Sequence, residues 1–187
     1  MPFGLYDSKN NEIMERKFKN ENSKWMQEME SDNSKWMQDE NGILFSKDKS
    51  ELLFFPRERQ GDYLIPDTVK TIGSDAFSHS KLTTVTIPNS VTTIESYAFY
   101  NCTRLTSVVI PNSVTVIGIG AFSGCSNLAT ITIPDSVTEI DAEVFFECYK
   151  LTNIIRTNTF IKFKEAAYYD CPALEDIRER GNAKRNS

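Results

Sequence analysis

The chain has one histidine, His79, in 187 residues. It also lacks the HExxH zinc pattern, a glycine-rich phosphate loop and a strand-borne nucleophile elbow. His79 falls in a short turn between Phe77 and Leu82 and reads as a solvated loop side chain. The many Asp and Glu residues lie in turns rather than as a repeated facing pair, so acid–base chemistry has no constellation to work from. No catalytic, cofactor-binding or metal-ligating residues are assigned, and an enzyme is the weakest of the functional readings.

An excess of basic residues is lacking as well. Lys and Arg number 21 against 26 Asp and Glu, a formal charge of -5, and the two signs are interspersed. Displacing counterions from a phosphate backbone needs a basic stripe, so nucleic acid is not an expected partner. There is no run of 18 uncharged apolar residues, which excludes a helical membrane span. The opening stretch MPFGLYDSKNNEIMERK has neither the basic start, the apolar centre nor the small-residue cleavage site of a secretory signal.

What the chain does have is a repeat. Ile65-Pro66, Ile87-Pro88, Ile110-Pro111 and Ile133-Pro134 recur at steps of 22, 23 and 23 residues. Counting from each Ile, a Val stands four residues on, an Ile seven on and a Phe twelve on. These are Val69, Ile72 and Phe77; Val91, Ile94 and Phe99; Val114, Ile117 and Phe122; Val137, Ile140 and Phe145. The second half of a copy reads apolar-x-x-apolar-x-Ile, as in Leu105-Thr-Ser-Val108-Val-Ile110, a pattern that favours a short strand. Proline directly after the strand cannot donate to a ladder, so the strand stops there and the chain turns away. One such unit cannot bury its apolar edge alone, whereas stacked units can, with equivalent strands about 4.8 Å apart.

The strings IPNSVTTIESYAFYNCTRLTSVV and IPNSVTVIGIGAFSGCSNLATIT resemble the BspA-like leucine-rich repeat family, with its Treponema-type 23-residue repeats, over residues 64–155. The resemblance implies an α/β-type leucine-rich-repeat solenoid: short parallel strands stacked in a curved right-handed coil, with an irregular or short helical convex side. It also implies an N-terminal hairpin cap, because GILFSKDKSELLFFPRERQGDYLIP is similar to the hairpin insertion such proteins carry, with Lys47-Asp48-Lys49-Ser50 at its turn. The expected organisation is a cap or partly disordered segment over 1–41, the hairpin insertion over 42–63, the solenoid over 64–178 and a disordered tail over 179–187. Within the first segment, Met14, Phe18, Trp25, Met29 and Trp36 follow at helical steps of 4, 7, 4 and 7, which predicts an amphipathic helix over about 10–30. An irregular strand is expected over 33–41. Stepping forward by 23, Cys171, Leu174 and Ile177 mark a fifth, degenerate copy in which Arg156 and Thr157 replace Ile and Pro, closed by the charges of Glu175 to Arg180.

Cys102, Cys125, Cys148 and Cys171 are spaced by 23 residues, which makes them one position of the repeat. A ladder of buried free thiols is expected; a line of thiols does not converge on a metal. Disulfides between adjacent rungs are the alternative, since rungs lie within the permitted Cα range. Asn101-Cys102-Thr103 matches a glycosylation sequon but adjoins a core position.

The side chains that flank the central strand residue form the presented face: Thr84 and Thr86, Ser107 and Val109, Thr130 and Thr132, Asn153 and Ile155, Asp176 and Arg178. They describe a hydroxyl-rich strip at one end and a mixed, charged one at the other, suited to contact with protein or glycan and requiring no cofactor. The bland account is that Thr is a good exposed strand residue. The resemblance implies cell-surface or secreted placement and a role in adhesion. An intracellular interaction scaffold is the alternative, and an ice-binding threonine array a minor one that needs a flat, continuous array.

Overall fold

The computed structural model describes residues 35–156, 161–164, 166–168 and 170–172. The chain divides into two compact units, residues 1–36 and 37–187, and the described residues fall almost wholly in the second. The helix expected over 10–30, Leu174, Ile177, the charged cap and the tail lie outside the described residues.

Thirteen short strands follow one another: β1 (Trp36–Gln38), β2 (Leu44–Ser46), β3 (Glu51–Phe54), β4 (Gln60–Leu64), β5 (Thr71–Ile72), β6 (Lys81–Thr86), β7 (Thr93–Ile94), β8 (Ser107–Val109), β9 (Val116–Ile117), β10 (Thr130–Ile133), β11 (Glu139–Ile140), β12 (Asn153–Arg156) and β13 (Lys162–Phe163). The longer strands of successive repeats stack in the order β4, β6, β8, β10, β12, and all of these pairs are parallel. On the return side β3, β5, β7 and β9 stack in parallel too, as do β11 and β13. The chain is thus a parallel-strand solenoid in which the coils beginning at Ile65, Ile87, Ile110 and Ile133 are the first to fourth.

Local chemistry explains each coil. After the strand, the proline carbonyl accepts from the N–H of the Val three residues on, at 3.0 Å in the first and third coils, 3.1 Å in the second and 3.2 Å in the fourth. That turn folds the Val inward, and Val69, Val91, Val114 and Val137 are all fully buried. The return path holds two-residue strands and overlapping turns where a short helix was one of the expected forms. Two positions per coil explain this. Asp75, Tyr97, Gly120 and Glu143, two residues before the Phe, and His79, Asn101, Gly124 and Glu147, two after it, all have φ between 55° and 72°. Left-handed residues end a right-handed helix wherever they occur. They also aim N–H groups at the next coil: Tyr97, Phe99 and Asn101 donate to Ile119, Ala121 and Ser123 at 2.9, 2.8 and 2.8 Å.

Between those two positions the phenylalanines stack through the centre. Phe55, Phe77, Phe99, Phe122 and Phe145 are at most 1% exposed. Phe99 lies 4.9 Å from Phe77 and 5.1 Å from Phe122, with ring planes 5° and 2° apart. Around this column pack the Val and Ile of the return path and Leu82, Leu105, Leu128 and Leu151 at the strand entry, all buried.

β2 and β3 form an antiparallel hairpin ahead of the first coil. Asp48 organises its turn: its Oδ1 accepts from Ser46 Oγ at 2.7 Å, Ser50 N at 3.0 Å and Ser50 Oγ at 2.8 Å. These bonds, that from the Ser46 hydroxyl foremost, hold the Asp48 carboxyl down at about 2.

Two predictions follow from packing and from this turn. Phe99→Ala removes a ring sandwiched on both faces and is expected to cost about 3–5 kcal/mol in urea unfolding, against less than about 0.5 kcal/mol for exposed Thr92→Ala; a loss no larger than that of the Thr variant would remove the stack from the account. Because the folded pKa of Asp48 is depressed, its stabilising contribution is present above the unfolded value and lost as pH falls from about 4 through about 2. Asp48→Asn is expected to flatten the pH dependence of the melting temperature in that window, and an unchanged slope would contradict it.

Candidate functional site

Register assigns the presented side chains to rows. One row runs Asp62, Thr84, Ser107, Thr130, Asn153. Thr86 pairs with Leu64, and Val109, Thr132 and Ile155 pair in line, giving a second row of Leu64, Thr86, Val109, Thr132, Ile155. The strand residues between the two rows, Val85, Val108 and Ile131, point inward and are buried. Eight of the ten residues expected on this face therefore stand together on one surface; Asp176 and Arg178 lie outside the described residues.

Two members went unnoticed in the sequence, Asp62 and Leu64 on β4. The signal was available, because Leu64-Ile65-Pro66 stands 22 residues before Thr86-Ile87-Pro88. With them the face changes character. Leu64 and Val109 are each 66% exposed and Ile155 44%, so three of the large apolar side chains left in water share one row, with threonines in the alternate rungs. Among the described residues the face is an apolar–threonine row beside a polar one rather than a hydroxyl strip, and they form no continuous threonine array.

The polar row is ordered at its first rungs. Thr84 Oγ1 donates to Asp62 Oδ1 at 2.6 Å and Thr83 Oγ1 at 3.1 Å, and these bonds, Thr84's first, hold the Asp62 carboxyl below the usual range. Toward the strand entry lies a cationic margin: Lys81 pairs with Glu58 at 2.5 Å, Arg104 Nη1 donates to Gln60 Oε1 at 2.8 Å, and Lys150 Nζ to Asn127 Oδ1 at 2.6 Å.

The four cysteines are buried thiols outside any disulfide, as their spacing implies. Each thiol donates to the carbonyl of the phenylalanine one coil earlier: Cys102 to Phe77 at 3.0 Å, Cys125 to Phe99 at 3.1 Å, Cys148 to Phe122 at 3.2 Å and Cys171 to Phe145 at 2.8 Å. In the first coil Ser80 takes the same place, its hydroxyl 3.3 Å from Cys102 Sγ. Burial pushes the thiols of Cys125 and Cys148 well up from their ordinary range. The column is a structural ladder. His79 is exposed, its N–H donates to the Tyr100 carbonyl at 2.7 Å and its ring meets the edge of Tyr100 at 5.3 Å. Among the described residues no group of three His, Cys, Asp or Glu side chains is placed to hold a metal ion, and no helix is long and apolar enough to cross a membrane.

Stacked parallel strands with an Ile-Pro turn, a central Phe and a Leu at each strand entry define a leucine-rich-repeat solenoid. Residues 55–175 match the family model described as BspA type Leucine rich repeat region, in six copies, and the chain belongs to that family. Among solved structures it is similar to a leucine-rich repeat protein from Eubacterium ventriosum, with 28% identity and a TM-score of 0.60 over 77% of this chain and 45% of that one. A leucine rich cell surface protein from Faecalibacterium prausnitzii is similar at 26% identity and a TM-score of 0.52, over 68% of this chain and 42% of that one. The leucine-rich repeat protein of T. pallidum shares the fold at 18% identity and a TM-score of 0.50, over 82% of this chain and 94% of that one. The chain thus spans less than half the length of the first two. No curated protein matches it.

The ladder of buried thiols makes a direct prediction. In the native protein at pH 8 a thiol-reactive dye is expected to find no cysteine, and in denaturant it is expected to find four. A thiol that reacts in the native state at the rate of a free one would show that the column is open.

Proposed function

We propose that this chain is a non-catalytic interaction module that binds a protein partner on its strand face, in the setting of cell-surface adhesion. The observation that carries the reading is the row of Leu64, Thr86, Val109, Thr132 and Ile155. Its apolar members are exposed although the neighbouring inward positions already fill the core. Apolar groups presented in register, beside hydroxyls and a cationic margin, match the make-up of protein interfaces, with an apolar centre and a polar rim. The polar row, with Thr84, Ser107, Thr130 and Asn153, supplies hydrogen bonds to the same partner. Asp176 and Arg178 extend the face if the fifth copy continues the register.

Placement at the cell surface is supported by the Faecalibacterium relative, which is described as a cell surface protein. An intracellular scaffold is the second reading, and four cysteines that form no disulfide favour it, because thiols persist in reducing compartments. Neither reading requires covalent chemistry, a cofactor or a glycan.

The test is binding to arrays of extracellular-matrix proteins and glycans, with the native chain beside Val109→Lys/Ile155→Lys and beside Thr92→Lys on the return side. A matrix protein bound saturably, and at least about tenfold more weakly by the double variant, supports the face, a loss on the order of 1.4 kcal/mol. Equal binding by all three chains overturns the assignment to the strand face. Binding to glycans alone overturns the choice of partner.

A further inference from the structure

The return strands form two sheets where the repeat would make one: the first ends at β9, and the second holds β11 and β13. Elsewhere the same two backbone bonds tie each return path to the one before. Thr115 N–H donates to the Thr92 carbonyl at 2.9 Å and Gly118 N–H to Ile94 at 2.8 Å; one junction beyond the gap, Lys162 donates to Thr138 at 3.0 Å and Lys164 to Ile140 at 2.9 Å. Thr138 and Asp141 are the residues that would continue this series onto the carbonyls of Thr115 and Ile117. Among the described residues neither bond is made. The Ser136 hydroxyl instead reaches the Val114 carbonyl at 2.5 Å.

Two further observations fall on the same junction. The phenyl column, spaced at 5.0, 4.9 and 5.1 Å through the earlier coils, opens to 6.2 Å between Phe122 and Phe145. Val116 and Ile119, on the return path of the third coil, are 51% and 40% exposed. On its other side the third coil is held close to the second at Gly118. A Cβ built there would lie 2.5 Å from Ser96 N and 2.8 Å from the Glu95 carbonyl carbon, so only glycine lets the third coil sit this close to the second.

The other two sides of the coil remain joined. On the strand face β10 pairs with both β8 and β12. Along the phenylalanine turns Gly120, Phe122 and Gly124 donate to Ala142, Val144 and Phe146 at 3.2, 3.0 and 2.7 Å. We propose that the solenoid flexes at this seam. The coils up to β9 and those from β11 onward move as two blocks, the intact strand ladder serves as the spine, and opening or closing of the return side adjusts the contour of the strand face. The inference rests on bonding within the chain and stands whether or not that face binds a partner.

Spin labels on exposed threonines test it, since the four native thiols are buried. Thr115→Cys/Thr138→Cys straddles the seam, and Thr92→Cys/Thr115→Cys spans the intact junction before it. The seam pair is expected to show weaker dipolar broadening and a wider spread of distances than the control pair. In native-state hydrogen exchange, amides of residues 137–142 are expected to exchange at least about tenfold faster than those of residues 92–96, reflecting local opening. Equal broadening in the two pairs, or equal exchange in the two segments, overturns the seam.

Discussion

Everything in this protein depends on one coil meeting the backbone and apolar needs of the next. A 23-residue turn of chain is too short to enclose a core, and the two faces of its phenylalanine are covered by the rings of the coils above and below it. The two left-handed residues that flank the Phe are part of that arrangement. Non-glycine residues such as Tyr97, Asn101 and Glu143 hold this conformation at roughly 1 kcal/mol or more each. What offsets the cost is the set of N–H groups so directed, three per junction from Tyr97, Phe99 and Asn101, each bonded to a carbonyl of the following coil. Strain within a coil is exchanged for bonds between coils, so a coil is stable only in company.

The same stacking decides where function can reside. Inward positions are spent on Val, Ile, Leu, Phe and Cys, and the thiols are consumed as donors to the phenylalanine carbonyls. Among the described residues nothing reactive converges, because equivalent residues of successive coils are held along a line. A line of equivalent positions does permit a ruled surface, in which one row differs chemically from the next across only two residues of strand. The contrast between Asp62–Asn153 and Leu64–Ile155 is of this kind, and it is set by register rather than by any cavity.

Much of this was legible before any coordinates. The Ile-Pro steps, the Phe twelve residues on and the 23-residue cysteine spacing disclose the period, the core and the ladder, because each is a residue type that only one environment repays at every copy. The left-handed positions were hidden, since only the third coil places glycine at both of them while the others use Asp, Tyr, His, Asn and Glu. β4 was overlooked as part of the face because the hairpin insertion precedes it and the 22-residue step to β6 offsets its first residues. Gly61 marks the offset: the pairing shifts between Gly61 and Asp62. The seam was invisible for another reason. Val114, Ile117 and Phe122 keep the template there, and Gly118 only repeats the residue that stands as Gly73 at the same place in the first coil.

The exposed row raises a question that stability alone does not answer. Threonine at positions 64, 109 and 155 would serve the strand as well as it does at Thr86 and Thr132, keeping β propensity without leaving a large apolar side chain in water. Leu64 is the sharper case, being neither β-branched nor buried, yet it stands at the last residue of β4 with two-thirds of its surface open. Val109 is as exposed, two rungs on, and Ile155 follows two rungs later. The fold needs only that these side chains point outward; the recurrence of apolar ones along one edge is information the fold does not use. A partner laid along the solenoid would use it, since covering such a row removes apolar surface from water at each alternate rung.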